Sequence, residues 1–197
     1  MKFELMLRLL VLVLLGTIFL ISGLYRKRDS NLEFTQKQED GGMTLALRMA
    51  AAIPLFLVII LNIFFPEWIG WSKLNLPGWL RITGLALALI SVLWLWWVFF
   101  TLGSTASETV LPEESQELIT TGPYGFVRHP LYAGGLLFLF SIGLVFADWV
   151  ILIFALAGFL AFRFLVIPAE EESLLAAFGE DYETYRRRTG TMLPWIR

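Results

Sequence analysis

The chain has 197 residues, 57% of them hydrophobic, and its mean hydropathy of +0.71 lies far outside the range of soluble domains, which marks an integral membrane protein. A formal net charge of -2 gives no basic excess to neutralise phosphates and argues against a nucleic-acid partner. The absence of cysteine removes disulfides, thiolate nucleophiles, cysteine zinc sites and covalent haem attachment, and a single histidine excludes a bis-histidine haem within one chain.

Apolar runs about 20 residues long, at 1.5 Å rise per residue, cross a hydrocarbon layer of roughly 30 Å. Residues 5–25 form the first such run, interrupted only by Arg8, Thr17 and Ser22. A cleaved signal peptide is the competing reading, but the run is long and no small-x-small site precedes Arg26-Lys27-Arg28. Residues 29–42 are polar and read as a loop. Residues 43–65 make the second span, with Arg48 near its start and Pro54 inside, where a kink is expected. Residues 66–78, flanked by Trp68, Trp71, Lys73 and Trp79, suit the headgroup depth that aromatic side chains favour. The third span, 79–100, closes on Trp94, Trp96, Trp97, Phe99 and Phe100, rings that fit an aromatic belt and packing. Residues 102–121 carry Glu108, Glu113, Glu114 and Glu117 and read as a polar segment in water or over the membrane face.

Spans four (131–149) and five (150–168) have only Ala147 and Asp148 to turn between them, so a tight antiparallel hairpin is expected. Beyond Pro168, Glu170-Glu171-Glu172 fit the acidic first turn of a helix, and Leu174, Leu175, Phe178, Tyr182 and Tyr185 recur at helical spacing. This predicts a C-terminal amphipathic helix that Gly179 divides in two. Five spans place the termini on opposite sides. Arg26, Lys27, Arg28, Lys37, Arg128, Arg186, Arg187, Arg188 and Arg197 then share one side, against Lys2, Arg8, Lys73 and Arg81 on the other, so the C-terminus is expected in the cytoplasm. The expected fold is all-α, with residues 1–100 as three N-terminal spans and 101–197 as a core of approach loop, hairpin and terminal helix. There is no internal repeat, glycine-rich dinucleotide fingerprint or P-loop.

The stretch TGPYGFVRHPLYAGG, residues 121–135, holds the only histidine. Gly122-Pro123 signals a turn, Pro130 keeps His129 extended, and Pro130 itself suits the first turn of a helix. The helix start directs unpaired N–H groups and partial positive charge at the Arg128-His129 corner, where an anionic group can sit. The plainer reading is that Arg128 and His129 anchor a span at the headgroups. The hairpin, however, brings this corner to Glu170-Glu171-Glu172, so opposite charges converge beside Tyr124 and Tyr132.

The segments LITTGPYGFVRHPLYAGG and EEESLLAAFGEDYETYRRRTGTMLPWI, in this order and separation, resemble the isoprenylcysteine carboxyl methyltransferases and related membrane phospholipid-type methyltransferases, over about residues 102–196. The resemblance implies S-adenosylmethionine as cofactor, held by Leu118, Ile119, Tyr124, His129, Pro130, Leu131, Tyr132 and Glu170, with Glu171 beside it. It also implies a lipophilic or prenylated acceptor entering from the bilayer. Family members that methylate prenylcysteine have an arginine four residues before the glutamate that matches Glu170; here that position is Val166. Arg163, about one turn earlier, is the candidate replacement, and with Arg128 it makes the pair of candidate catalytic cations. Two other readings stand beside this one. Membrane sterol reductases that use NADPH carry a similar arginine-histidine-proline-x-tyrosine segment. A small transporter, channel subunit or assembly factor would use Arg48 and Arg163 along a path or against a partner.

Overall fold

The apolar runs become helices that pack around a small buried core and leave most of their large side chains facing outward. The structure, a computed structural model, describes residues 2–28, 42–108 and 118–194, with backbone only for 26–28, 42–51 and 103–108. The side chains of Arg26, Lys27, Arg28, Lys37, Arg48 and Glu108, together with Glu113, Glu114, Glu117 and Arg197, therefore lie outside the described residues. The elements in order are α1 (Lys2–Arg28), α2 (Gly42–Phe64), α3 (Gly78–Glu108), α4 (Pro130–Phe146), α5 (Trp149–Ala161), a π-helical turn (Phe162–Val166) and α6 (Ile167–Arg188). Single 3-10 turns occupy Gly70–Ser72 and Gly122–Gly125.

Among the described residues three helical runs are long and apolar enough to cross a membrane: Lys2–Tyr25, Gly78–Leu102 and Trp149–Arg188. Ala52–Phe64 and Pro130–Phe146 are shorter apolar helices. About 20 residues suffice to cross roughly 30 Å of hydrocarbon. Residues 149–168 of the third run are therefore long enough by themselves to cross such a layer.

Two boundaries depart from the sequence reading. The third helix, whose span is expected to close at residue 100, continues to Glu108. Pro168, expected to end a span, lies inside a continuous helical run. The π turn accounts for this: Ile167 N–H donates to Phe162 O, five residues back, and the widened turn relieves the clash that a proline ring makes with the preceding carbonyls. Gly179, at φ 53° and ψ -123°, breaks α6 into two halves, in the left-handed region where a side chain is strained.

Leu7, Val11, Ile59, Ala88, Val92, Phe138, Ile142, Val145, Phe146 and Ile151 form one cluster in which α1 to α5 all take part. Polar contacts fix the ends. Ser91 donates to Gly134 O at 2.6 Å between α3 and α4. Arg81 donates to Val145 O at 2.9 Å and forks onto Glu4, joining α3, α4 and α1.

The turn between α4 and α5 is two residues long. Ala147 adopts the left-handed conformation (φ 50°), and Asp148 caps α5 by accepting from Val150 and Ile151 N–H at 3.0 and 3.2 Å. Asp148 is fully buried and also accepts from Asn62 Nδ2 at 2.9 Å and Ser72 Oγ at 2.6 Å, with Lys73 Nζ 3.9 Å away. One carboxylate thus binds α2, the 65–77 connection and the hairpin turn.

Removing this carboxylate would strand two side-chain donors, two backbone N–H groups and a lysine. Asp148→Ala should therefore cost about 3–5 kcal/mol. Thermal unfolding in detergent is expected to show a large fall in midpoint for Asp148→Ala and a smaller one for Asp148→Asn. An unchanged midpoint in both would remove Asp148 from its proposed structural role.

Candidate active site at the Arg128-His129 corner

The corner begins with a tight turn. Gly122, at φ 58°, would drive a Cβ to 2.6 Å from Thr101 Oγ1, so only glycine lets residues 122–125 lie against the end of α3. Pro123 is buried beneath the turn, Tyr124 is half-buried, and the chain then extends through Val127, Arg128 and His129, all buried. His129 caps α4 with φ -120°, Pro130 opens the helix, and Trp94 Nε1 donates to Pro130 O at 2.9 Å.

The end of the tail docks on this extended segment. Arg128 N–H donates to Gly190 O at 2.9 Å, His129 N–H to Thr191 O at 3.0 Å, and Gly190 N–H to Phe126 O at 3.3 Å, a short parallel pairing of Val127 with Gly190. Tyr185 OH donates to Tyr124 O at 2.8 Å. Arg128 completes the closure. Its Nε donates to Glu171 Oε1 at 2.7 Å, Nη1 to Arg186 O at 3.1 Å and Thr189 O at 2.5 Å, and Nη2 to Thr191 Oγ1 at 3.1 Å. The guanidinium is thereby committed to joining the corner, α6 and the tail.

His129 lies between two carboxylates, with Nδ1 3.4 Å from Glu170 Oε2 and Nε2 3.5 Å from Glu171 Oε1. The second contact is an ion-pair distance without hydrogen-bond geometry, and Nε2 is buried with no hydrogen-bond partner among the described residues. The other oxygen of Glu170 accepts from Tyr132 OH. The rings of His129 and Tyr132 stack at 5.8 Å, and Tyr132 stacks on Phe162 at 4.3 Å. Burial works against charging His129, but Glu170 and Glu171 outweigh it and hold its pKa above the ordinary value. Burial likewise disfavours the Glu171 carboxylate, yet His129 and Arg128 together pull it down to about 2. Burial, followed by the charge of Glu170, pushes Tyr124 up to about 12, so it stays a neutral phenol.

The expected residues divide into two groups. His129, Tyr132, Glu170 and Glu171 are in mutual contact, Pro130 is buried behind them, and Tyr124 is near enough to feel Glu170. Leu118 and Ile119 are half-buried on the approach, while Leu131 is 38% exposed. Arg163 borders a cavity that Arg128, Glu171 and Thr191 of the corner also line. Residues 162, 166 and 170 make one stripe of the helical run, carrying Phe162 and Glu170 to Tyr132. Arg163, Ile167, Glu171 and Leu175, at the same spacing of four, line this cavity of about 560 Å3 between the two halves of α6. Phe162, Tyr185 and the Thr189-Gly190-Thr191 docking segment were not singled out from sequence as site residues. Main-chain docking leaves no side-chain signature, and Phe162 reads as one more lipid-facing ring.

A model of the phospholipid methyltransferase family matches residues 79–181. Protein-S-isoprenylcysteine O-methyltransferase of Homo sapiens is 35% identical over 142 residues, covering 68% of this chain and 48% of its own length. Methanethiol S-methyltransferase 2 of Bradyrhizobium diazoefficiens is 30% identical over 166 residues, covering 77% of this chain and 61% of its own. The chain thus spans about half the length of the isoprenylcysteine methyltransferases that it matches. In fold it is similar to the eukaryotic intramembrane Ras methyltransferase, isoprenylcysteine carboxyl methyltransferase, with a TM-score of 0.52 at 23% identity over 91% of this chain and 68% of that one. The matched segment covers α3, the corner, the hairpin and the first half of α6, and it places this chain in the phospholipid methyltransferase family, alongside the isoprenylcysteine carboxyl methyltransferases.

Proposed function

We propose that this chain is an S-adenosylmethionine-dependent methyltransferase of the membrane, acting on a lipophilic acceptor at the cytoplasmic face. The observation that carries this reading is the meeting of His129 with Glu170 and Glu171 at the start of α4, from positions 41 and 42 residues apart in sequence (170 − 129 and 171 − 129). In this reading α1, α2, α3, α4 and α5 with its π turn are five crossings, residues 1–100 serve as scaffold, and 101–197 form the methyltransferase core. The distribution of arginine and lysine supports a cytoplasmic corner and C-terminus.

The corner has the chemistry that the cofactor requires. His129 Nε2 is buried with no hydrogen-bond partner among the described residues, and the first turn of α4 presents N–H groups suited to a carboxylate. Glu170, whose side chain is 40% exposed, can accept from hydroxyl or ammonium groups. Tyr124 and Tyr132 offer faces for an adenine or a sulfonium, and Leu118, Ile119, Pro130 and Leu131 would complete the walls. When bound, S-adenosylmethionine supplies an electrophilic methyl group, which passes to an acceptor lone pair with S-adenosylhomocysteine as the leaving group. The protein's part is to orient the acceptor in line and to exclude water from it. Arg128 contributes by holding Glu171 and the tail against His129. The acceptors named for the relatives, an isoprenylcysteine carboxylate and methanethiol, support a carboxylate or thiol on an apolar molecule. The apolar part would enter from the bilayer.

Two measurements test this assignment. Detergent-purified protein should bind S-adenosylhomocysteine by calorimetry, and His129→Ala and Glu170→Ala should each weaken binding at least tenfold while remaining folded; undiminished binding in both would refute the site. Arg128→Gln should release the tail, costing about 3–5 kcal/mol through the stranded Glu171. Trypsin would then cut faster at Arg186, Arg187 and Arg188 at pH 7, whereas unchanged cleavage would deny Arg128 its holding role. The linkage has a definite sign. Stability contributed by Glu171 is present above the ordinary carboxylate range and is lost as pH falls toward 2, and that from His129 is full below about 6.5 and is lost as pH rises through its raised value.

A further inference from the structure

The peptide group between Pro130 and Leu131 stands in the first turn of α4 and is held from one side only. Its carbonyl, Pro130 O, accepts from Trp94 Nε1 at 2.9 Å. Its N–H, that of Leu131, has no carbonyl within α4 to reach, because the residue four positions back precedes the helix. No side chain caps this end of α4, and Leu131 N–H makes no hydrogen bond among the described residues. At the neighbouring His129, which is 7% exposed, the main-chain N–H goes to Thr191 O while Nε2 has no hydrogen-bond partner among the described residues. The corner thus leaves a main-chain donor and an imidazole nitrogen side by side for a ligand.

Trp94 is placed differently from a ring of an aromatic belt. Ser91, Trp94 and Leu95 lie on one face of α3, at spacings of three and four. Ser91 Oγ donates to Gly134 O at 2.6 Å, one turn along α4 from Pro130. Gly134 admits this close approach, since a Cβ there would lie 2.7 Å from Leu95 Cδ2 and 2.8 Å from Trp94 Cδ1. The ring of Trp94 is also met edge-on by Trp97 at 5.8 Å, and Trp97 meets Phe126 of the corner at 6.0 Å. A half-buried indole at the membrane edge can satisfy its N–H with water or headgroups. This one turns inward to a helix carbonyl instead. A peptide whose carbonyl accepts a hydrogen bond is polarised, and its N–H becomes the stronger donor. Trp94 therefore acts on Leu131 N–H through the peptide that lies between them.

We propose that Trp94 is a positioning residue of the cofactor corner, which fixes the Pro130–Leu131 peptide and sharpens Leu131 N–H as the donor for the carboxylate of the bound cofactor. This role rests on the methyltransferase reading of the corner. It gives α3 a part in ligand affinity as well as in the scaffold.

The test measures binding of two ligands to the full chain in detergent by calorimetry: S-adenosylmethionine and decarboxylated S-adenosylmethionine, which differ only in the carboxylate. Trp94→Phe removes the indole donor, and replacement of Trp94 by benzothienylalanine removes it while keeping the shape of the ring. Both variants should bind S-adenosylmethionine about fivefold more weakly than the parent, the scale of one hydrogen bond. Both should bind the decarboxylated ligand as the parent does. Unchanged binding of S-adenosylmethionine to the benzothienylalanine variant would overturn the proposal. An equal loss for both ligands would overturn it too, because Trp94 would then serve packing alone. A parent that binds neither ligand overturns the methyltransferase reading itself, whereas a parent that binds S-adenosylmethionine no better than its variants do overturns only the role of Trp94.

Discussion

The ion pair between Arg128 and Glu171 is the contact on which the rest of the candidate site depends. Without it the tail is held to the corner by main-chain pairing and Tyr185, and the first half of α6 by Glu170 with His129 and Tyr132, with no buried cation to join the two. With it, one buried guanidinium gathers a carboxylate from the first half of α6, carbonyls of Arg186 and Thr189, and the hydroxyl of Thr191. Breaking such an arrangement leaves buried charge uncompensated, which makes it strongly restraining even where its net contribution to stability is modest. His129 then meets both Glu170 and Glu171, and Tyr132 completes the enclosure through Glu170.

The other end of the bundle is secured by the same logic. Asp148 fixes the turn between α4 and α5 to α2 and the 65–77 connection, and Arg81 fixes α4 to α1 and α3. These contacts set where α4 begins and where the run from Trp149 points when it reaches the corner. The two halves of the hairpin are thus held at the turn by a buried carboxylate and at the open end by a buried arginine. Between them lies ordinary apolar packing, with outward faces suited to lipid.

Much of the corner was legible in the sequence because its signals are local and chemical. Gly122-Pro123, the proline after His129 and the acidic run after a long apolar segment each fix a conformation or a charge, and Ala147-Asp148 leaves no room for anything but a turn. What escaped was non-local or masked by composition. The pairing of Arg128 and His129 with Gly190 and Thr191 uses main-chain groups, which every residue has. The π turn at Phe-Arg-Phe-Leu-Val looks like any apolar helix, and Arg163 shares the i, i+4 stripe of Ile167 and Glu171 at the cavity. The sequence sets the end of the fifth span at Pro168, whereas the widened turn before it accommodates the ring inside a continuous helical run. The polarity that begins at residue 102 ends the apolar span but not the helix, and α3 carries on to Glu108.

Because His129 is the only histidine, its environment can be measured without assignment ambiguity. The most direct test is an NMR pH titration of 15N-histidine-labelled protein in detergent micelles, comparing the parent with the Glu170→Gln/Glu171→Gln variant. The account predicts one imidazole titrating above the ordinary histidine value in the parent and well below the parent's value in the double variant, where burial acts unopposed. The same pKa in both proteins would mean that the two carboxylates do not hold the imidazole, and the site would have to be rebuilt around other residues.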